Sequence, residues 1–261
     1  MSEWQRALVT GASSGIGEAF ARVLAGERTD LVLVARGRAR LDELASKLRE
    51  EHGVAVEVLP ADLTSDAGCR LVQDRLRADD APVDLLVNNA GVGTSGAFAT
   101  IPHEREVQLV RLNVLALVEL SHAAVAAMKP RRHGGVLNVS SVTAFQPYPF
   151  GATYGASKAF VNSFSKALHT ELATHGIKVM ALCPGFTRTG FQSSAGIART
   201  PIPRWLWLTP EQVARDGLSA LRAGRSVRVV GTAFRAWSGM TKVVPDVVLR
   251  RALAVVGRRR T

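Results

Sequence analysis

Cysteine is scarce in this chain, and the scarcity excludes two groups of proteins at once. Two cysteines among 261 residues, Cys69 and Cys183, are too few and too scattered for a disulfide framework or a zinc site. A reducing compartment is the expectation. The histidines His52, His103, His122, His133, His169 and His175 show no ligand-like clustering, so no metal is indicated. No run approaches a transmembrane span, because Glu119 and His122 interrupt the longest apolar stretch, Leu112 to Met128. Met1-Ser2-Glu3-Trp4-Gln5 passes almost at once into a strand-like run. That leaves no room for a signal peptide, and a cytoplasmic location is expected. Without repeats, linkers or low-complexity segments, one domain over residues 1–231 is the reading, followed by an extension over 232–261.

What is present looks ordinary until the charge is mapped. A hydrophobic share of 47% and a charged share of 21% suit a globular protein, and the length allows one large α/β domain. The net charge of +11 is uneven: residues 222–261 hold ten of the 33 Lys and Arg and a single acid, Asp246. The body is near neutral and the tail is basic. A terminal charge without a base-reading motif argues against nucleic-acid binding.

Strand-like and helix-like runs alternate, which predicts a doubly wound parallel sheet with helices on both faces. The strands read as Arg6–Thr10, Asp30–Ala35, Val54–Leu59, Asp84–Asn88, Gly135–Val139, Lys178–Leu182 and Ser226–Val230. Helical patterns start near Gly15, Arg38, Ser65, His103, Thr153 and Pro210. Leu41, Leu44, Ala45 and Leu48 carry the spacing of an amphipathic helix, and Thr209-Pro210 looks like an N-cap followed by proline at the first helical position.

Chemistry enters with Tyr154-Gly155-Ala156-Ser157-Lys158, where four-residue spacing puts a phenol and an ammonium on one helical face. A nearby cation eases phenolate formation. Upstream, Ser141 follows the apolar run Gly135 to Val139 and should emerge at the sheet edge where open α/β folds bind ligands. Thr10-Gly11-Ala12-Ser13-Ser14-Gly15-Ile16-Gly17 lies between a strand and a helix, where a pyrophosphate would meet the helix N-terminus. Asn88-Asn89-Ala90-Gly91 closes another apolar run, Leu85-Leu86-Val87. In this order the pieces resemble the short-chain dehydrogenase/reductase family in its single-domain form, from about Arg6 to Gly231.

That resemblance implies a seven-stranded Rossmann fold with strand order 3-2-1-4-5-6-7, and a homodimer or homotetramer. It implies Tyr154 as general acid in reduction, Lys158 lowering the phenol's pKa and holding the nicotinamide ribose, and Ser141 binding the substrate oxygen. Asn113 becomes the fourth catalytic member, holding a water in a proton relay from Lys158. Ser140 competes with Ser141, but strand alternation turns it the other way. Cofactor contacts are implied for Gly11, Ser13, Ser14, Gly15, Ile16 and Gly17, for Asp62 and Leu63, for Asn89, Ala90 and Gly91, and for Tyr154 and Lys158 themselves. The segment Pro184, Gly185, Thr187 and Thr189 would bind the nicotinamide carboxamide. Ala35 stands where NAD enzymes of this fold carry an acid, and Arg36 follows, which favours NADP(H). Arg36 as one of a surface row with Arg38 and Arg40 stays open.

The expected activity is NADPH-dependent reduction of a hydrophobic carbonyl compound, of 3-oxoacyl or lipid-like type. The alternative is a non-catalytic NADP(H)-binding scaffold or sensor. A substrate loop over 186–209 carries Phe186, Phe191, Ile197, Ile202 and Trp205-Leu206-Trp207-Leu208 with no acid, and Phe145, Tyr148 and Phe150 could line the same pocket. Similar basic, apolar tails occur in a bacterial ketoacyl- and lipid-reductase-like branch of the family. Here the tail could rest on a membrane surface as a peripheral contact, cover the pocket, or pack on a subunit.

Overall fold

The computed structural model describes residues 3–195 and 203–240, without the side chains of 193–194 and 237–240. Seven strands form one sheet: β1 (Arg6–Thr10), β2 (Asp30–Ala35), β3 (Val56–Pro60), β4 (Leu85–Asn88), β5 (Gly134–Val139), β6 (Ile177–Pro184) and β7 (Val227–Val230). Their order is β3-β2-β1-β4-β5-β6-β7 and each neighbouring pair is parallel. The expected topology stands. Strand bounds shift by one or two residues: β3 starts at Val56 rather than Val54 and runs to Pro60, and β6 extends to Ile177 and Pro184.

Alternation along each strand divides the interior into two cores. Ala7 and Val9 face one side with Trp4, Phe20, Leu24 and Leu33. Leu8 faces the other with Val32, Leu76, Leu86 and Val136. Parallel strands covered on both faces need such continuous apolar runs, and each fully buried aliphatic side chain is worth roughly 1.5–3 kcal/mol. Helices α1 (Gly15–Gly26), α2 (Arg38–His52) and α3 (Asp66–Arg77) connect the first four strands. Leu41, Leu44, Ala45 and Leu48 are the buried residues of α2, as their spacing predicts.

Between β4 and β5, α4 (His103–Val110) runs through a π-helical turn, Arg111–Ala116, straight into α5 (Leu117–Arg131). By length and composition the helical stretch His103–Met128 is apolar enough to cross a membrane, contrary to the reading that Glu119 and His122 break the run. Those two polar residues do not outweigh the surrounding Leu, Val and Ala. Its Ala116, Leu120, Ala123, Ala124 and Met128 are packed into the second core. A core helix passes the same compositional test.

Helix α6 (Ala152–Leu172) precedes β6, and the short α7 (Phe191–Ser194) lies in the segment after it. Helix α8 (Pro210–Arg222) opens with the anticipated cap: Thr209 Oγ1 accepts from Gln212 N at 3.2 Å, and Gln212 Oε1 accepts from Thr209 N at 2.9 Å. The extension begins as α9 (Thr232–Met240), packed on β7 and on the 3-10 turn Val142–Phe145. The remaining tail readings, with Ile197 and Ile202 of the substrate loop, fall outside the described residues.

Candidate active site

The strand order reverses between β1 and β4, so their C-terminal ends open a crevice of the kind in which α/β sheets bind ligands. A cavity of about 1850 Å³ lies there, larger than the ~300–1,000 Å³ typical of a site for one drug-sized molecule. The cofactor-side residues named from the sequence line it, Gly17 excepted, and so do Ser141, Tyr154 and Lys158. Gly17 and Asn113 stand behind its wall.

The glycine turn explains why Gly17 stays hidden. Gly11 and Gly15 have φ near +65° and +60°, a conformation that side chains with a Cβ seldom adopt. At Gly17 a Cβ would lie 2.3 Å from Gly11 O and 2.5 Å from Asn89 Nδ2. Here the glycine lets α1 close onto the turn itself. Thr10 completes the corner, because its Oγ1 accepts from both Asn89 N and Ala90 N at 2.9 Å. Asn89 Nδ2 donates to Thr10 O at 2.8 Å. Only a β-branched polar residue ending a buried strand hinted at that role.

At the adenosine end, Arg36 is exposed and borders the cavity beside Asp62. Asp62 is held below the usual carboxylate range, chiefly by the hydrogen bond from Thr64 N and also by the Arg36 charge. Arg40, in the first turn of α2, also borders the cavity, and both arginines are exposed to solvent.

Lys158 is buried and its Nζ donates to Val139 O at 2.8 Å, 5.8 Å from the Tyr154 ring centroid. Asn113 sits in the π-helical turn, a distortion common at functional sites. Its amide pairs reciprocally with the Val92 backbone, two bonds of 2.9 Å, and donates to Ser157 Oγ at 3.2 Å. Ser157 Oγ in turn donates to Tyr154 O at 2.7 Å, linking Asn113 to the helix that bears Tyr154 and Lys158. A Cβ on Gly91 would lie 3.2 Å from Asn113 Oδ1 and 3.6 Å from Lys158 Nζ, so the chain passes close to both.

Ser141 is buried, its Oγ accepts from Thr143 N at 3.2 Å, and it lines the cavity together with Tyr154. Ser140 is committed elsewhere, donating to Lys158 O at 2.9 Å. Beneath the site, Asn88 Nδ2 donates to Asn138 Oδ1 at 2.9 Å and to Ser121 Oγ at 3.0 Å, while Asn138 Nδ2 donates to Ser165 Oγ at 2.9 Å. This chain ties α5 to α6 through β4 and β5. Sequence reading passed over it, although two asparagines inside strand-like runs were the available signal.

The electrostatics depart from the expectation of a lowered phenol pKa. Tyr154 has a face on the cavity, yet the protein packed around it pushes the phenol up to about 12, with the nearby Ser141 hydroxyl pulling the other way. Burial likewise lowers Lys158 to about 8. Desolvation is the largest influence on both groups, and the Lys158 ammonium is directed to Val139 O.

Apolar side chains complete the cavity. Tyr154 lies between Tyr148 and Phe191, with ring centroids 6.3 Å and 5.6 Å away. Phe150, Phe186, Leu206 and Trp207 also line it, whereas Phe145 does not and Trp205 is 74% exposed to solvent. The loop is pinned by Leu208 N donating to Phe186 O at 2.8 Å and by Arg188 N donating to Leu208 O at 3.0 Å.

Comparison with known proteins agrees with this geometry. The short chain dehydrogenase family model matches residues 5–199. The chain belongs to that family. It is 33% identical over 189 residues to a very-long-chain 3-oxoacyl-CoA reductase of Anas platyrhynchos, an alignment covering 70% of this chain and 60% of that relative's length. A short-chain dehydrogenase from Sphingobium yanoikuyae, solved with NADPH, superposes with a TM-score of 0.83 at 38% identity over 96% of this chain and 95% of that one. The bulky-bulky ketone specific alcohol dehydrogenase from Comamonas testosteroni gives 0.81 at 33% identity over 97% and 95%.

Proposed function

We propose that this protein is an NADPH-dependent oxidoreductase that reduces the carbonyl of a hydrophobic ketone or 3-oxoacyl compound to an alcohol. The observation that carries the reading is the convergence of Ser141, Tyr154 and Lys158 on one cavity with the glycine turn and Arg36. The residues fit the cofactor. Gly11 and Gly17 let the turn close tightly, which leaves Ser13, Ser14, Gly15 and Ile16 on the cavity at a helix N-terminus suited to a pyrophosphate, and Arg36 offers a guanidinium where Ala35 offers no competing carboxylate. Asp62 and Leu63 would border the adenine, Asn89, Ala90 and Gly91 the ribose, and Pro184, Gly185, Thr187 and Thr189 the carboxamide.

Bound there, NADPH supplies the hydride. Tyr154 gives its phenolic proton to the developing alkoxide, and a phenol with its pKa raised to about 12 stays protonated at neutral pH for that task. Ser141 binds the same oxygen and stabilises the charge growing on it. Lys158 places a cation beside the phenol and would hold the nicotinamide ribose. Asn113, locked to Val92 and Ser157, positions the helix carrying both, and on the family pattern it would hold the relay water.

The apolar lining formed by Tyr148, Phe186, Phe191 and Trp207 supports a hydrophobic substrate, as do the substrates in the names of the duck and Comamonas relatives. A cytoplasmic homo-oligomer belongs to the same reading. Exposed Leu115 on the π-helical turn and exposed Phe160 on α6, stacked 5.7 Å from Phe164, support a subunit contact. Peripheral membrane contact through the basic tail is supported only by its composition.

The deciding experiment follows NADPH and NADH consumption with ketones graded by chain length. NADPH-dependent turnover that favours long apolar ketones is expected. Turnover of none would overturn the activity, and preference for short polar carbonyls would overturn the substrate class.

A further inference from the structure

We infer that Phe234, in the first turn of the C-terminal extension, is a specificity-determining residue that sets how large an apolar group the substrate site accepts. This deepens the carbonyl-reductase reading and rests on it. Phe234 lies beyond residues 5–199, where the family model ends, so this residue is not part of the matched pattern.

Three observations place the ring. Gly231, with φ of +96°, turns the chain sharply after β7, and Arg235 N donates to Gly231 O at 3.0 Å to start α9. The turn delivers Phe234 onto Gly185, where an added Cβ would stand 2.2 Å from each of two ring carbons. Only a glycine at 185 lets that ring sit flush with the segment expected to meet the nicotinamide.

Phe234 then meets Phe186 edge-on, with centroids 5.6 Å apart at 72°, and Phe186 meets Trp207 at 6.0 Å. Phe234, Phe186 and Trp207 all line the cavity, and none of the three rings carries a charge. Because α9 also packs on the turn Val142–Phe145, it joins the loop after Ser141 to the segment after β6. Phe234 touches both Gly185 and Phe186, so it closes the corner between main chain and aromatic lid. Truncating it removes a ring from that corner and enlarges the apolar space beside it.

The test compares wild type with Phe234→Ala and Phe234→Trp, measuring kcat/KM for straight-chain 2-ketones from short to long, with NADPH affinity measured separately by fluorescence titration. Phe234→Ala should raise the long-to-short ratio of kcat/KM by about tenfold, the low end for a gain or loss of volume in an apolar pocket, and Phe234→Trp should lower it. Phe234→Leu keeps an apolar packing partner and should give a smaller shift in the same direction as alanine. Equal changes for every ketone, or loss of NADPH affinity in the folded variants, would overturn the assignment and make Phe234 a strut of the cofactor segment. If the wild type binds NADPH but reduces no ketone, the activity itself fails, before any variant is compared.

Discussion

At the Tyr154 end of the cavity, buried polar atoms meet fixed partners: Lys158 on Val139 O at 2.8 Å, Asn113 on Val92 at 2.9 Å, and Ser157 on Tyr154 O at 2.7 Å. At the Phe186 end, rings meet rings with centroids 5.6–6.0 Å apart, and Phe186 itself is 40% exposed. The first end is over-determined, because a lost partner strands a buried donor or acceptor at a cost of about 1–3 kcal/mol. The second is held by contact area, which tolerates a change of shape. A reductase needs that division: the acid and the hydroxyl must stay in place while the pocket wall adapts to the carbonyl compound it accepts.

The sharpest way to break the contrast is to remove one atom from the rigid end. Tyr154→Phe should lower kcat by at least ~10²-fold, the low end for a positioned acid, with NADPH still bound. Stopped-flow turnover beside a cofactor titration checks it. Crowding the glycine turn comes next. Gly17→Val would drive a Cβ against Gly11 O and Asn89, and should weaken NADPH binding by about tenfold or more, equivalent to ~1.4 kcal/mol. Unchanged affinity by calorimetry would contradict the tight cradle.

The pH profile tests the same end without mutation. Lys158 titrates near 8, below its ordinary value, so its ammonium is present below that pH and lost as pH rises through it. Tyr154, raised to about 12, remains protonated across the same window. Reductive kcat/KM, which reports the free enzyme, should therefore fall above about pH 8. A profile flat to the alkaline limit of stability would show that the lysine's charge is not used. Beneath the site, Asn88→Ala should cost about 1–3 kcal/mol in denaturant unfolding by leaving Asn138 and Ser121 short of a partner. Smallest of all, Trp207→Ala at the adaptable end should change KM for long ketones while moving stability by less than about 1 kcal/mol. The ring is only part-buried and lost area scales with the cost.

The same contrast explains what could be read from the amino acids alone. The polar end announces itself through residue types at fixed local spacing: Tyr154 with Lys158, and Gly11, Gly15 and Gly17 after a strand. The fold was legible for a related reason, since β-branched runs alternate with amphipathic stretches and strand order came with the family resemblance. The aromatic wall was not legible as geometry, because Phe186 and Phe234 are far apart in sequence and meet only once β6 and β7 are paired. Nothing local to Trp205 or Trp207 says which faces the cavity; the 3-10 turn Arg204–Leu206 decides it, exposing Trp205 and turning Trp207 inward. The direction of the phenol's pKa was missed for a physical reason. Spacing shows that a cation is near but not how dry its surroundings are, and burial prevailed.

Direct transfer of hydride onto a carbonyl carbon beside Tyr154 is the central claim, and isotope tracing tests it most directly. With NADPH carrying deuterium at both nicotinamide C4 positions and a long-chain ketone as acceptor, deuterium should appear on the carbinol carbon of the alcohol in step with cofactor oxidation. Cofactor oxidation without labelled alcohol, or alcohol whose carbinol hydrogen comes from solvent, would contradict it.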